Sequence, residues 1–310
     1  MAKVVTLMLN PSVDVMLEFD EFLKTKTNRI KNRIELMGGK GLNVSCVLST
    51  FGVSVCATGF IGSDRKNELA NVLKTSGIEN AFVEIDGTTR TNFKFMDKSE
   101  GTITEANDAG FSVNNGNILE LESKLNCVLN DAEILVLTGS LPKGVEIDFY
   151  AKCIEKANEK GIKCILDTSG EALKLAISKK PYAIKPNFDE LCELAGKEVC
   201  EIEEIKKLSS QILDSGVSLI AVSMGDKGAM FFNNEKIITA KTFEIEFKSA
   251  VGAGDSMVAA MCYSILTKKN LEETAKLSVA AGCITTSKSA TNLCTAEEVI
   301  LNMDRVVLEG

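Results

Sequence analysis

The 310-residue chain contains no histidine and no tryptophan, only four prolines, and 5% aromatic residues. The missing histidine excludes most: a Ser-His-Asp or Cys-His catalytic pair, imidazole-bound zinc and a histidine general base are all ruled out. Chemistry is left to carboxylates, lysines, backbone amides and bound metal, so a general base must be sought among Asp and Glu. Ten cysteines are present, but no two of them stand as C-x-x-C, which removes the common zinc-ribbon and dithiol motifs. Several lie among apolar neighbours, as in Lys163-Cys164-Ile165-Leu166 and Ala281-Gly282-Cys283-Ile284, a setting expected of buried free thiols in a reducing compartment. Long apolar runs are missing too: residues 134–137 and 257–263 fall far short of the ~20 residues of a membrane span. Residues 4–9 form a strand-sized run without the longer apolar region or cleavage site of a signal peptide, so the cytoplasm is the expected location.

What is present reads as an ordinary globular protein, with 45% hydrophobic and 25% charged residues. The net charge of −8 repels polyanions, so neither nucleic acid nor an anionic membrane is an expected partner, whereas a small anion can still be captured locally. From about residue 112 helical and extended patterns alternate. Helices are expected over 117–130, 148–160, 187–194, 202–215 and near 254–268, 271–288 and 295–308. Buried strands are expected over 132–137, 163–166 and 218–222. Such alternation predicts a doubly wound α/β core with a parallel sheet. Residues 13–36 and 89–105 break the rhythm with extended segments that mix apolar and charged residues, such as Asn92-Phe93-Lys94-Phe95-Met96-Asp97. They predict a small discontinuous β appendage over one edge of a core built from 1–12, 37–88 and 106–310, placed to act as a lid.

No segment fits the P-loop or the Rossmann glycine fingerprint. Lys248-Ser249-Ala250-Val251-Gly252-Ala253-Gly254-Asp255-Ser256 instead precedes an apolar helical pattern. Small residues at a helix N-terminus let amides converge on an anion, and Asp255 then stands in the first turn. It can cap the helix or take a proton from an attacking hydroxyl, and the residues alone leave both open. Gly38-Gly39-Lys40-Gly41-Leu42-Asn43 likewise ends an extended segment and opens a helix, either as a plain turn or with Asn43 and backbone facing a polar ligand. Ser223-Met224-Gly225-Asp226-Lys227-Gly228 follows a buried strand and reads as a ligand loop or a hairpin turn. In Lys185-Pro186-Asn187-Phe188-Asp189-Glu190 the oxygens of Asn187 and Glu190 are spaced for hydrated Mg²⁺ or for a capping box.

In this order, together with Thr138-Gly139-Ser140-Leu141-Pro142, the segments resemble those of the PfkB-type, ribokinase-like carbohydrate kinases along essentially the whole chain. The opening residues 6–14 resemble the branch acting on phosphorylated ketohexoses, and Thr89-Arg90-Thr91-Asn92-Phe93-Lys94 is most similar to 1-phosphofructokinases. The resemblance implies a three-layer α/β/α core with a small β lid, and ATP with Mg²⁺ as cofactors. The implied reaction is phosphorylation of fructose 1-phosphate at its 6-hydroxyl. Tagatose 6-phosphate or fructose 6-phosphate is the near alternative, and a silent sugar-phosphate-binding regulator the alternative from another class. It further implies Asp255 as base, with Gly252, Ala253 and Gly254 as anion hole. Asp14, Gly38, Gly39, Lys40, Asn43 and Ser140 would hold the sugar, with Arg90 on its phosphate and Lys26 or Arg29 assisting at the lid. Lys185, Asn187 and Glu190 would organise Mg²⁺–ATP, and Ser223, Gly225, Asp226, Lys227 and Gly228 would line the nucleotide side. A ketohexose phosphate is thus the expected partner, with a homodimer formed through the lid. The chain departs from the family pattern at Ala250, commonly Thr, and at Ser249, often Asp in cation-activated members, so the resemblance leaves potassium activation open.

Overall fold

The computed structural model describes residues 3–197, 201–289 and 292–310; Cys200 lies outside them. Strand Val4–Met8 is buried at every position, as an apolar run must be when both faces of its sheet are covered. Val4 and Met8 join a core with residues of helices Lys40–Thr50, Ala253–Leu266 and Leu271–Thr286. Val5 and Leu7 join a second core with residues of Asn115–Val128, Phe149–Glu159 and Ile202–Asp214. The period-two alternation of one strand thereby fixes three layers, with a sheet between two sets of helices.

In spatial order the large sheet runs Val307–Glu309, Ile237–Lys241, Ala229–Phe232, Leu219–Ser223, Ala183–Ile184, Lys163–Asp167, Ile134–Thr138, Val4–Met8, Val55–Gly62 and Glu79–Asn80, with Val83–Ile85 also paired to Val55–Gly62. Val4–Met8 has Val55–Gly62 on one side and Ile134–Thr138 on the other, so the order reverses there. Ligands of open α/β sheets collect beyond the strand carboxyl ends at such a reversal. Among the described residues no helix is long and apolar enough to cross a membrane.

Two expectations are corrected. Residues 295–308 are not one helix: Ala296–Asn302 is helical, Met303–Arg305 is a 3₁₀ turn, and Val307–Glu309 is a strand antiparallel to Ile237–Lys241. The exposed edge of Ile237–Lys241 offers unpaired backbone groups, and pairing satisfies them. Nor is the sheet parallel throughout, because Ala229–Phe232 and Ile237–Lys241 pair antiparallel. Residues 223–228 form the hairpin turn that makes this possible. Gly228 sits at φ +91°, where an added Cβ would fall 2.0 Å from the Ala240 carbonyl oxygen, a position only glycine fills without strain.

The segments that broke the helical rhythm pair as a separate sheet, in the order Asn32–Gly38, Ser12–Phe19, Arg90–Asp97 and Thr102–Ala106. Its central pair is parallel, with Asp14 opposite Asn92 and Met16 opposite Lys94. One face therefore carries Asp14, Asn92 and Lys94. The other buries Val13, Val15, Leu17 and Phe19, with Phe22 and Phe95 stacked at 5.1 Å.

Candidate active site

Helix Ala253–Leu266 begins at Gly252, which has φ +78°, and has no side-chain cap. A Cβ on Gly252 would meet Leu293 Cδ2 at 2.4 Å, and one on Gly254 would lie 3.3 Å from Lys185 Nζ. Both positions are thus kept bare, and the first-turn amides remain available to an anion beside an ammonium group. Asp255 does not cap this helix. Its Oδ2 accepts a 2.8 Å hydrogen bond from Asn43 Nδ2, and the residue borders a polar cavity. Burial pushes its pKa up to about 6; Lys40, the Asn43 bond and Lys185 oppose that rise, and Asp167 adds to it. A carboxyl group tuned toward neutrality is suited to accept a proton from an alcohol as that alcohol attacks.

Asp167, at the carboxyl end of strand Lys163–Asp167, is 1% exposed. It stands 3.2 Å from both Lys40 Nζ and Lys185 Nζ. Burial works against its charge, but the two lysines outweigh burial and hold the group below the ordinary carboxylate range. Lys40 is held charged above its ordinary value, because Asp167, Asp255 and Glu190 outweigh its own desolvation. The result is a buried carboxylate pinning two ammonium groups, with that of Lys185 beside the first turn of helix Ala253–Leu266, a geometry suited to an anion.

Two cavities meet here. The first, about 570 Å³, is lined by Asp14, Asn43, Arg90 and Lys94 on one side and by Asp167, Lys185, Glu190 and Asp255 on the other. The second, about 480 Å³, is walled by Phe243, Ile245, Phe247, Met257, Val279 and Cys283. Ser223, Ala250 and Gly254 border both. A polar, charged chamber thus opens onto an apolar slot across the first turn of helix Ala253–Leu266.

Residues 8–298 match the model of the pfkB family of carbohydrate kinases. The chain belongs to this family. It is 36% identical over 291 residues to a tagatose-6-phosphate kinase of Staphylococcus epidermidis, with 93% of each chain covered. It is 35% identical over 295 residues to a 1-phosphofructokinase of Borreliella burgdorferi, covering 95% of this chain and 94% of that one. The structure of phosphofructokinase-2 from Escherichia coli with substrates and products superposes with a TM-score of 0.91 at 30% identity, over 98% of this chain and 99% of that one. Another structure of that enzyme is described as its tetrameric inhibited form. The protein is accordingly a sugar-phosphate kinase, a phosphotransferase with an alcohol acceptor, on the ribokinase-like fold of its family.

Within this family site, the residues expected from sequence separate into groups. Asp14, Gly39, Lys40, Asn43, Arg90, Lys185, Asn187, Glu190, Ser223, Gly252, Gly254 and Asp255 border the polar chamber. Gly225, Asp226, Gly228 and Ala253 border the apolar slot. Gly38 backs Asp14, whose Oδ2 would lie 3.2 Å from an added Cβ. Four residues stand apart. Lys227 is exposed and lines neither cavity. Ser140 Oγ accepts a bond from Asn10 Nδ2 outside both linings, and exposed Lys26 and Arg29 lie outside them too. Arg90 lines the chamber, but it donates to the carbonyls of Asn10 at 2.9 Å, Pro11 at 3.3 Å and Asp108 at 3.4 Å. Asn187 and Glu190 form the capping box of helix Phe188–Leu194. Asp167, Asn92 and Lys94 belong to the site although sequence reasoning had not singled them out as site residues; alternation along 90–97 was the available signal for the latter two.

Proposed function

We propose that the protein transfers the γ-phosphoryl group of ATP to the 6-hydroxyl of fructose 1-phosphate, giving fructose 1,6-bisphosphate. The observation carrying this reading is Asp255: buried, uncapped, pushed up to about 6, and placed beside the anion hole where the polar chamber meets the apolar slot. Asp255 takes the proton of the 6-hydroxyl while the amides from Gly252 to Gly254 receive the transferring group. Lys40 and Lys185, held by Asp167, offset the charge of the phosphate oxygens. Asp14, Gly39 and Asn43 face the sugar, and the N–H groups that Arg90 retains face the phosphate it already carries. The apolar slot takes the adenine. The choice of fructose 1-phosphate rests on the resemblance of residues 89–94 to 1-phosphofructokinases, against the tagatose 6-phosphate named for another relative. The small sheet serves as lid and as the surface of a homodimer; on it Phe93 is 38% exposed, and Ile30 beside it is 52% exposed.

Hard-oxygen chemistry fits a hydrated Mg²⁺ brought in with the nucleotide rather than a cage made by the protein: among the described residues no cluster of acidic or cysteine side chains could enclose a metal ion. Asn187 Oδ1 accepts the Glu190 amide and Glu190 Oε2 accepts the Asn187 amide, both at 2.7 Å, so Glu190 has one carboxylate oxygen outside the box and is the better ligand of the two. A metal there would supply neutralisation of phosphate charge. Glu190→Gln is expected to raise the Mg²⁺ concentration for half-maximal activity severalfold while the melting temperature changes little, since glutamine also completes a capping box. An unchanged Mg²⁺ requirement would leave Glu190 as a cap alone.

The test of the whole reading is ATP consumption over a panel of fructose 1-phosphate, fructose 6-phosphate, tagatose 6-phosphate and fructose. The highest kcat/KM is expected for fructose 1-phosphate. A higher value for tagatose 6-phosphate overturns the reading of residues 89–94, and no turnover of any phosphorylated sugar overturns the assignment to this substrate class.

A further inference from the structure

Lys94 is 8% exposed, projects from the face of the small sheet that carries Asp14, and borders the polar chamber. Its Nζ lies 3.6 Å from Asp14 Oδ2 and 3.9 Å from Glu105 Oε1, beyond hydrogen-bond reach in both cases. A buried ammonium group without a hydrogen bond is costly unless an anion completes it. Asn92, two residues earlier on the same face and 9% exposed, repeats the pattern. Its Nδ2 donates to Asp14 Oδ1 at 3.1 Å, while its Oδ1 is buried with no partner. The neighbouring cation, Arg90, is already bonded to three backbone carbonyls.

We propose that Lys94 is a specificity-determining residue of the sugar site: its ammonium group binds the phosphate that the ketohexose phosphate brings, while Asn92 Oδ1 accepts an adjacent sugar hydroxyl. This rests on the reading of the polar chamber as a sugar-phosphate site. The two carboxylates nearby differ in how they are held, and Asp14 Oδ2 stays beside Lys94. Asp14 Oδ1 is already held by Ser12 Oγ at 2.9 Å and by Asn92. The Glu105 side chain, 49% exposed on the outer strand of the small sheet, swings into solvent when phosphate replaces it. Glu105 therefore acts as a placeholder for the substrate anion, and its removal should favour binding.

The test compares wild type, Lys94→Met, Lys94→Arg and Glu105→Gln on fructose 1-phosphate and on fructose, with KM for ATP and thermal melting followed in parallel. Lys94→Met is expected to lower the ratio of kcat/KM for fructose 1-phosphate over fructose about 10²-fold, chiefly through KM. KM for ATP should stay within about twofold, and Lys94→Arg should recover at least about tenfold of that ratio. Glu105→Gln, a change at an exposed side chain that folding tolerates, should lower KM for fructose 1-phosphate. Equal losses on both sugars, or an unchanged ratio, overturn the proposal, as does a raised KM in Glu105→Gln. Wild type that turns over fructose 1-phosphate alongside an unaffected Lys94→Met defeats only this assignment; wild type inactive on every ketohexose phosphate defeats the sugar-phosphate reading itself.

Discussion

Replacing Asp255 by Asn is expected to lower kcat by at least about 10²-fold and at the same time to raise the melting temperature. The first effect follows from the proposed role of Asp255 as the base that takes the proton of the acceptor hydroxyl. The second follows from linkage. Burial raises the Asp255 pKa from 3.8 to about 6, so the native state favours the protonated form more than the unfolded state does. Its relative stabilising effect is full below the unfolded pKa and is lost as pH rises through the folded one, leaving the ionised carboxylate as a cost at neutral pH. An amide carries no such cost and still accepts the bond from Asn43 Nδ2, so the variant should gain about 1–3 kcal/mol at pH 7.5, within what such a shift represents. In wild type, kcat/KM should fall tenfold per pH unit below about 6 and level off above it. Near-normal turnover of the variant, or a flat wild-type profile between pH 5 and 7, removes Asp255 from the role of base. A stable but inactive variant is the signature of a group retained for chemistry at the expense of stability.

Legibility of the sequence followed how locally each feature is encoded. The anion hole and Asp255 lie within one contiguous run, 249–256, where glycine spacing and the start of an apolar helix are visible together. Asn43 is visible for the same reason, at the head of helix Lys40–Thr50. Asp167 is not. Its partner Lys40 is 127 residues distant in sequence, and only the register of Lys163–Asp167 beside Ile134–Thr138 and Ala183–Ile184 brings the strand end to both lysines. Lys94 stayed hidden because a charged residue in an alternating strand normally marks the solvent face, and only the folding of the small sheet over the core turns that face inward. Asn187 and Glu190 show the converse case: one spacing suits either a capping box or a metal site, and the fold forms the box. The antiparallel edge escaped because the strand Val307–Glu309 directly follows a helix and a 3₁₀ turn, too short to show a period.

Asp167→Asn should produce the largest loss of stability of any single change in the site, together with a displaced pH profile. Removing its charge leaves Lys40 and Lys185 facing each other across the space that the carboxylate now occupies at 3.2 Å from each. Breaking the buried Lys185 pair on one side costs about 3–5 kcal/mol, and Lys40, whose side chain is 42% exposed, adds less because solvent screens it. The cost depends on pH in a defined direction. The lysines, outweighing burial, hold Asp167 below the ordinary carboxylate range. Its stabilising contribution is therefore present above the unfolded pKa and is lost as pH falls through the folded one. Urea unfolding should show wild type and variant far apart at pH 7 and converging in strong acid. The catalytic consequence runs through Asp255, whose pKa Asp167 raises and the two lysines lower. With Asp167 neutral, only burial still opposes the lysines at Asp255, so the acid limb of kcat/KM should move to lower pH while the plateau falls, because the ammonium groups are no longer held at the proposed anion hole. A variant that loses stability but keeps the wild-type acid limb would show that Asp167 holds the lysines for the fold alone and has no part in tuning the base.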